Sequence, residues 1–551
     1  MLRSSQDVYK PDLIDVLFLG FYCINLTGIF WAINKADLFY ESQKLLPIYV
    51  FYVLLKHLLR ESKQQVVQWL TLSALGISIL GIVATAFSIL SIHRELGFDQ
   101  NTVYLVNVIS GHKNLLASYL FLLLPLLFIG ERIFKGWKKR IFQLVLLLQL
   151  LVIFLLMTRA VYLAVAVAIL FFVLLILFKP KFKSVLPAKT IVYSAITAVV
   201  LVAAALVASG KLGGIMGKLN LSNSANERLL LWKKSLSMIQ DNWLLGVGNG
   251  NWKIHLPSYN LSGLYRAEEF DFVFLRPHND YLAVWSQTGT IGFLLFLGIL
   301  GFTASSGLKA LRGKGPQLII PSIALAGFLG YLTIAFFDFP MERIEHQVML
   351  VVLMALLTCD ASLPQQSWVK HVNIMNGKGL WLIVALLGFN WWIGGNRYVG
   401  ETHLRAMIGS KESGDYQRLK KESIAARSLF YTAEHSLPIK WYEGIADYHL
   451  QDQESAFANF SQAAEENPWN YNVLNNLGAV NFQRAQYSEA IIYYSRALAI
   501  NPKMNEARLN NAAAHIRMGQ LEAAKRLLDS VPGDSPQKQK LLNIIGNRTP
   551  Q

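Results

Sequence analysis

Apolar runs long enough to cross a bilayer recur through the first 395 residues of this 551-residue chain, and that constrains the fold more than anything else in it. A spanning segment must satisfy every backbone polar group internally, so runs of this length read as membrane helices. Eleven spans are expected, at about 13–33, 44–60, 66–90, 114–130, 141–157, 160–178, 190–209, 281–308, 317–338, 344–359 and 378–395. The first follows Asp12-Leu13-Ile14-Asp15 and reads as an uncleaved span. Charge supports the reading. Charged residues make up only 16% of the chain, where a soluble protein of this length would carry about 25%.

Lys and Arg cluster in alternate loops: Lys56/Arg60/Lys63, Arg132 to Arg140, Lys179 to Lys189, and Lys309/Arg312/Lys314. Positive loops stay in the cytoplasm. The N-terminus is therefore expected inside and the polar loop at about 210–280 outside. An odd number of spans leaves everything after residue 395 outside as well. Of 51 Lys and Arg and 35 Asp and Glu, 18 and 16 lie from Asn396 onward, so nearly all of the +16 net charge sits in the membrane part. That excess belongs to cytoplasmic loops and anionic headgroups and does not suggest nucleic-acid binding. The two cysteines, Cys23 and Cys359, fall within apolar runs, so neither a disulfide framework nor a thiolate metal site is available.

The tail has another texture. Pro468 and Pro502 are 34 residues apart, and Leu474, Leu477, Gly478, Ala490, Tyr494 and Ala497 lie between them at tetratricopeptide spacing. Gly444, Ala456, Phe460 and Ala463 stand one period earlier, and Ala512, Ala524 and Leu528 one period later. The expected organisation is a membrane domain over 1–395, a linker or degenerate repeat over 396–436, and repeats over 437–538. The overall class is all-α: a polytopic helical bundle followed by a soluble α-solenoid.

The chemistry-bearing residues gather where the outer loop re-enters the bilayer, at Arg276-Pro277-His278-Asn279-Asp280-Tyr281. Polar groups at the mouth of a span are costly without a purpose. Upstream, Asn226-Glu227-Arg228 begins a helical stretch with Leu229, Trp232, Leu236 and Ile239 on one side, expected to lie at the membrane–water interface. Gly246-Val247-Gly248-Asn249-Gly250 follows that helix. No strand precedes it, so it reads as a turning loop and not as a dinucleotide site.

These features together resemble the O-antigen ligase superfamily, which includes O-antigen ligases, polysaccharide polymerases and bacterial protein O-oligosaccharyltransferases. The ligase motif is His, then Asn, Ser or Gln, nine residues, Gly, two residues, then Gly, Thr or Tyr. Here it is His278-Asn279, nine residues, Gly289, Thr290-Ile291, Gly292. Gly111-His112-Lys113-Asn114 and Thr158-Arg159 are weaker echoes. The resemblance covers roughly residues 70–360. Many relatives carry an acid where Gln287 stands, so here that position offers only a neutral hydrogen-bonding group.

The resemblance implies a GT-C-like bundle that moves a glycan from a polyprenyl diphosphate to an acceptor hydroxyl, without metal or other cofactor, inverting the anomeric centre. Such a site needs cations at the diphosphate and a base for the hydroxyl. Arg159, Arg228 and Arg276 are the expected diphosphate ligands, because the guanidinium fork matches phosphate oxygens. His278 is the expected base or orienting group, with Asn279 beside it. Gly289 and Gly292 support the motif. His112, His255 and His346 have no partner pattern and read as structural. Glu269-x-Asp271 spells a metal pair used by other membrane oligosaccharyltransferases, but a solvated acidic loop is the simpler reading.

Lipid A core is the first-ranked acceptor, a protein hydroxyl the second and a growing glycan the third. The site is expected at the periplasmic face of a bacterial inner membrane, with the repeats also periplasmic. Expected partners are the lipid-linked donor, the acceptor, membrane lipids and a protein at the repeats, with no nucleic acid. A flippase would want charged residues along a path through the spans or two related halves, and neither is visible. The tail holds none of the candidate chemical residues, so it reads as a separable partner-binding module.

Overall fold

The computed structural model describes residues 11–96, 105–106, 112–178, 223–270, 272–359, 377–426 and 436–547. It is helical, with no strand among the described residues. Six helices among the described residues are long and apolar enough to cross a membrane. One of these, Lys35–Glu95, is a merged stretch holding two of the expected spans, and its backbone breaks at Ser62. The 141–157 run lies in the helix Gly136–Leu155, the 344–359 run forms the short helix Ile344–Thr358, and the 190–209 run lies outside the described residues.

The helices pack where small residues allow close approach. A Cβ on Gly327 would meet Pro125 at 2.3 Å, one on Gly330 would meet Phe121 at 2.2 Å, and one on Gly130 would meet Phe142 at 2.3 Å. At one end of the bundle a buried Lys56 is held by Asp12 at 2.6 Å and Asp15 at 3.2 Å. Asp12 and Asp15 also form the capping box of the first helix, Leu13–Thr27. The same carboxylates thus start that helix and neutralise a cation with no water to solvate it. Leu80, Leu147, Leu170 and Leu294 remain exposed on the outside of the bundle, as a lipid-facing surface requires.

The tail is a stack of helix pairs from Ile439–His449 to Pro536–Gly546. Its glycines mark the contacts that set the period: a Cβ on Gly444 would meet Phe460 at 2.6 Å, and one on Gly478 would meet Tyr494 at 2.5 Å. Residue 395 lies inside one continuous helix, Gly377–Ser413. Leu404 and Met407 of that helix pack with Leu419, Ala426, Trp441 and Tyr442 in one core, which ties the helix to the start of the array.

Two sequence expectations change here. The tail is not separable. Leu231, Met238, Val247, Trp252, Leu256 and Leu261 of the outer loop share one core with Tyr471, Leu474, Ala497, Ile500 and Ala507 of the repeats. Leu261 N–H donates to Ile500 C=O at 3.0 Å, Lys503 pairs with Glu268 at 3.0 Å, and the His255 and Trp469 rings stand 4.7 Å apart. Tail and outer loop therefore lie on the same side of the bundle. The helix Asn223–Asp241 is also not mainly a lipid-facing element. It buries Leu231, Ser235 and Met238 in protein and leaves Leu229 and Leu236 exposed. Its residues form two faces, and the protein core takes the larger share.

Candidate active site at the His278 turn

Pro277 and His278 form the turn that feeds the helix Asp280–Ala310. His278 has φ +56°, a left-handed conformation uncommon for a residue with a side chain. Asn279 follows as N-cap, its side-chain oxygen accepting from Leu282 N–H at 3.0 Å. Its role in the motif is therefore to start the helix and fix the imidazole before it. His278 Nδ1 lies 3.8 Å from Asp338 Oδ1, an ion-pair distance without a hydrogen bond, and its ring meets Phe339 edge-on. Asp338 is the C-cap of the helix Ile319–Phe337 and is buried.

The outer-loop helix clamps both sides of this pair. Arg228 and Trp232 stand one turn apart, so they share a face. Arg228 Nη1 donates to Phe337 C=O at 3.0 Å, next to Asp338, and Trp232 Nε1 donates to Pro277 C=O at 3.0 Å, next to His278. Arg228 spends one donor on that carbonyl, and a guanidinium has five.

A second pair of helix starts faces this clamp. His112 caps the helix Lys113–Ile133, its Nδ1 accepting from Asn114 N–H at 3.2 Å. Burial pushes its pKa down; the Asp338 charge opposes that, while Lys113, His278 and Arg228 add to it. Those four charges all act on His112, which places the imidazole within electrostatic reach of Asp338, Lys113, His278 and Arg228 while its Nδ1 serves as a helix cap. Thr158 Oγ1 meets Asn114 Oδ1 at 3.2 Å, which ties the Thr158-Arg159 echo to the Lys113-Asn114 echo. Arg159 is exposed and lies within electrostatic reach of Lys113. The structure thus gathers Arg159, Lys113, His112, Arg228, His278 and Asp338 from five separate parts of the chain.

Arg276 stands apart from that group. Its guanidinium is paired with Glu342 and, at 3.4 Å, with Glu41. Burial would lower its pKa, but the two carboxylates raise it on balance. Two carboxylates leave little of its charge for a diphosphate, and pairing with them is the use the structure shows for Arg276. Gln287 is its third partner: Oε1 accepts from Arg276 Nη1 at 3.4 Å and from Gly250 N–H at 2.6 Å. The amide thus works as a neutral acceptor.

The motif glycines acquire a physical meaning. Gly289 breaks the helix at φ +64°, ψ −173°, and the break lets the 243–250 loop dock. Val247 and Gly248 N–H donate to Ser286 and Gln287 C=O at 2.9 Å each, and Thr290 N–H donates to Trp243 C=O at 2.8 Å. A Cβ on Gly289 would lie 2.2 Å from Leu244 O. At Gly292 it would lie 2.3 Å from Thr288 Oγ1. Of the acidic loop, Glu268 is described: it accepts from Gly263 N–H and pairs with Lys503, a structural use. The side chains of Glu269 and Asp271 lie outside the described residues.

Residues 144–297 match the family model described as O-antigen ligase, and residues 481–543 match a tetratricopeptide repeat model. Over residues 144–297 the chain is O-antigen-ligase-like. The matched segment holds Arg159, Arg228, His278 and both motif glycines, and it supports a membrane enzyme of the glycosyltransferase kind. No curated protein matches the chain. Asp338 goes unread in the sequence and Lys113 enters it only within the Gly111-His112-Lys113-Asn114 echo; both flank the ligase-like segment. Asp338 had one readable signal, a lone carboxylate ending an apolar helix, but nothing linked it to a histidine 60 residues earlier.

Proposed function

We propose that this chain transfers a glycan from a polyprenyl diphosphate to an acceptor hydroxyl at the periplasmic face of a bacterial inner membrane. The observation that carries the reading is His278 held between Asp338 and the Arg228–Trp232 clamp, with Lys113 acting on the neighbouring His112 and Arg159 acting on Lys113. With Nδ1 turned toward Asp338, Nε2 is left to take the acceptor proton. The acceptor oxygen then bonds to the anomeric carbon as the bond to the diphosphate oxygen breaks. The electron pair leaves with the diphosphate, where Arg228, Lys113 and Arg159 stabilise it. The proton stays on His278, and Asp338 stabilises the imidazolium. The chemistry needs no metal or cofactor, and attack from the face opposite the leaving group inverts the anomeric centre.

Lipid A core is the preferred acceptor, which makes the chain a ligase. Protein O-glycosylation is the second reading, favoured by the repeats docked on the loop that holds Arg228. Polymerisation ranks third. On this reading the N-terminus is cytoplasmic and the repeats are periplasmic. The test is to replace His278 by Ala in the native cell and ask which glycoconjugate disappears. Loss of the lipopolysaccharide ladder supports the ligase, loss of a glycoprotein the second reading, and loss of capsule the third. Unchanged glycoconjugates with normal protein levels would reject all three.

A further inference from the structure

A cavity of about 370 Å³ lies beside the His278 turn, within the usual range of small-molecule sites of about 300–1,000 Å³. Its walls come from five parts of the chain: the short helix Lys35–Gln43 with its C-cap Lys44, Lys253, Leu275-Arg276, Glu342, and the helix Gly377–Ser413 that runs on into the tail. None of its lining residues belongs to the group around His112 and Arg228.

The wall is rich in charge, yet each cation in it is already matched. Lys44 pairs with Glu41 at 2.8 Å, Lys253 with Asp37 at 2.8 Å, and Arg397 with Glu401 at 2.9 Å. Arg276 is shared between Glu41 and Glu342. An anionic ligand would have to break a pair and leave a carboxylate without its partner. A neutral polyhydroxylated ligand need not: paired carboxylates keep open lone pairs, and ammonium and guanidinium groups keep spare N–H donors. The aromatic rings sort in the same way. Tyr40 is covered by Lys44 at 4.7 Å and Arg397 at 4.9 Å, whereas Tyr398 is 71% exposed at the rim and offers a flat apolar face. Hydroxyl-matching walls with one open ring suit a sugar.

The cavity also has the right address. Arg276 precedes His278 by two residues, at most about 7 Å of chain. Glu342 follows Asp338 by four, so the two segments that carry the candidate catalytic pair also build the cavity wall. The cations assigned to the diphosphate lie in the other group, which leaves this side for the molecule attacked through its hydroxyl. We infer that this cavity binds a neutral sugar ring of the acceptor and aims its hydroxyl at His278. The inference rests on the transfer reading above and names the acceptor as a saccharide at this subsite.

The test uses full-length protein in nanodiscs. Saturation-transfer NMR is run with neutral gluco-, galacto- and manno-configured trisaccharides and with a uronic-acid trisaccharide. Neutral members should bind the wild type and His278→Ala alike. Tyr398→Ala should weaken binding about fivefold to tenfold, the value of one stacked ring, and Tyr398→Phe should restore it. Adding undecaprenyl diphosphate that carries a short glycan should leave the signal in place. Competition by that donor would assign the cavity to the donor's glycan and overturn the acceptor assignment. Preference for the uronic member, absence of binding by every neutral member, or full binding to Tyr398→Ala would each overturn the sugar assignment. A wild-type protein that moves no glycan from that lipid-linked donor to any acceptor would refute the transfer reading itself, whatever the trisaccharides do.

Discussion

Gly289→Ala tests whether the motif glycine exists to dock the outer loop. The residue sits at φ +64°, ψ −173°, a region essentially restricted to glycine and costing about 1–3 kcal/mol for other residues. The added methyl would lie 2.2 Å from Leu244 O and 2.4 Å from Leu245 N. Both are backbone atoms, so no side chain can rotate away, and the loop must move. Moving it breaks the bonds from Val247, Gly248 and Thr290, three in all, each with a net value of about 1 kcal/mol. The total is about 4–6 kcal/mol, comparable to the stability of a whole small domain. Gly301 lies in the same helix with nothing within 4 Å of its Cβ position, so Gly301→Ala is the matched control. Limited proteolysis across 223–270 in membranes reads the result. Gly289→Ala should expose the loop to cleavage and lose transfer, and Gly301→Ala should do neither. Wild-type protection in Gly289→Ala would refute the docking role.

Burial lowers the pKa of His255, at the loop–tail contact, to about 4. A lowered histidine pKa destabilises the folded form as pH falls below the ordinary 6.5 and towards 4, by up to about 3 kcal/mol, so tail docking should weaken across that window and be unaffected above it. Protease accessibility of the 436–547 array against pH measures this, and His255→Phe should flatten the response. Truncation after Arg397 should leave Leu231, Met238 and Trp252 uncovered, so it should render the outer loop protease-sensitive and abolish transfer outright, where a separable tail would only raise the acceptor KM. Arg228→Lys should lose most activity, because an ammonium cannot hold Phe337 C=O and a diphosphate in one forked geometry; full activity would make Arg228 a headgroup anchor.

The parts of this fold legible in sequence were those carried by period and spacing. Apolar runs mark spans because lipid permits little else, and the Gly444/Phe460 and Gly478/Tyr494 pairs recur because each repeat makes the same contact. His278 and Gly289 were legible because motif spacing fixes a turn and a helix break. Asp338 and His112 were not, since each reaches His278 only through tertiary packing and neither carries a spacing signal. The pairing of Arg276 was hidden because its neighbours in sequence say nothing of Glu41, which meets it across the fold. Docking of the tail was hidden for a similar reason. Tyr471, Leu474 and Ala497 are ordinary repeat positions, and their contact with Trp252 and Met238 appears only once both surfaces are built.

The most direct test of the proposed mechanism separates donor binding from transfer in the same preparation. Wild-type and His278→Ala proteins, reconstituted in proteoliposomes, are given undecaprenyl diphosphate carrying a radiolabelled glycan, and both bound donor and glycan moved to acceptor are counted. His278→Ala should bind donor as the wild type does, because Arg228, Lys113 and Arg159 remain, and should transfer nothing above background. Transfer at the wild-type rate by well-inserted His278→Ala protein would contradict the assignment of His278 as the base.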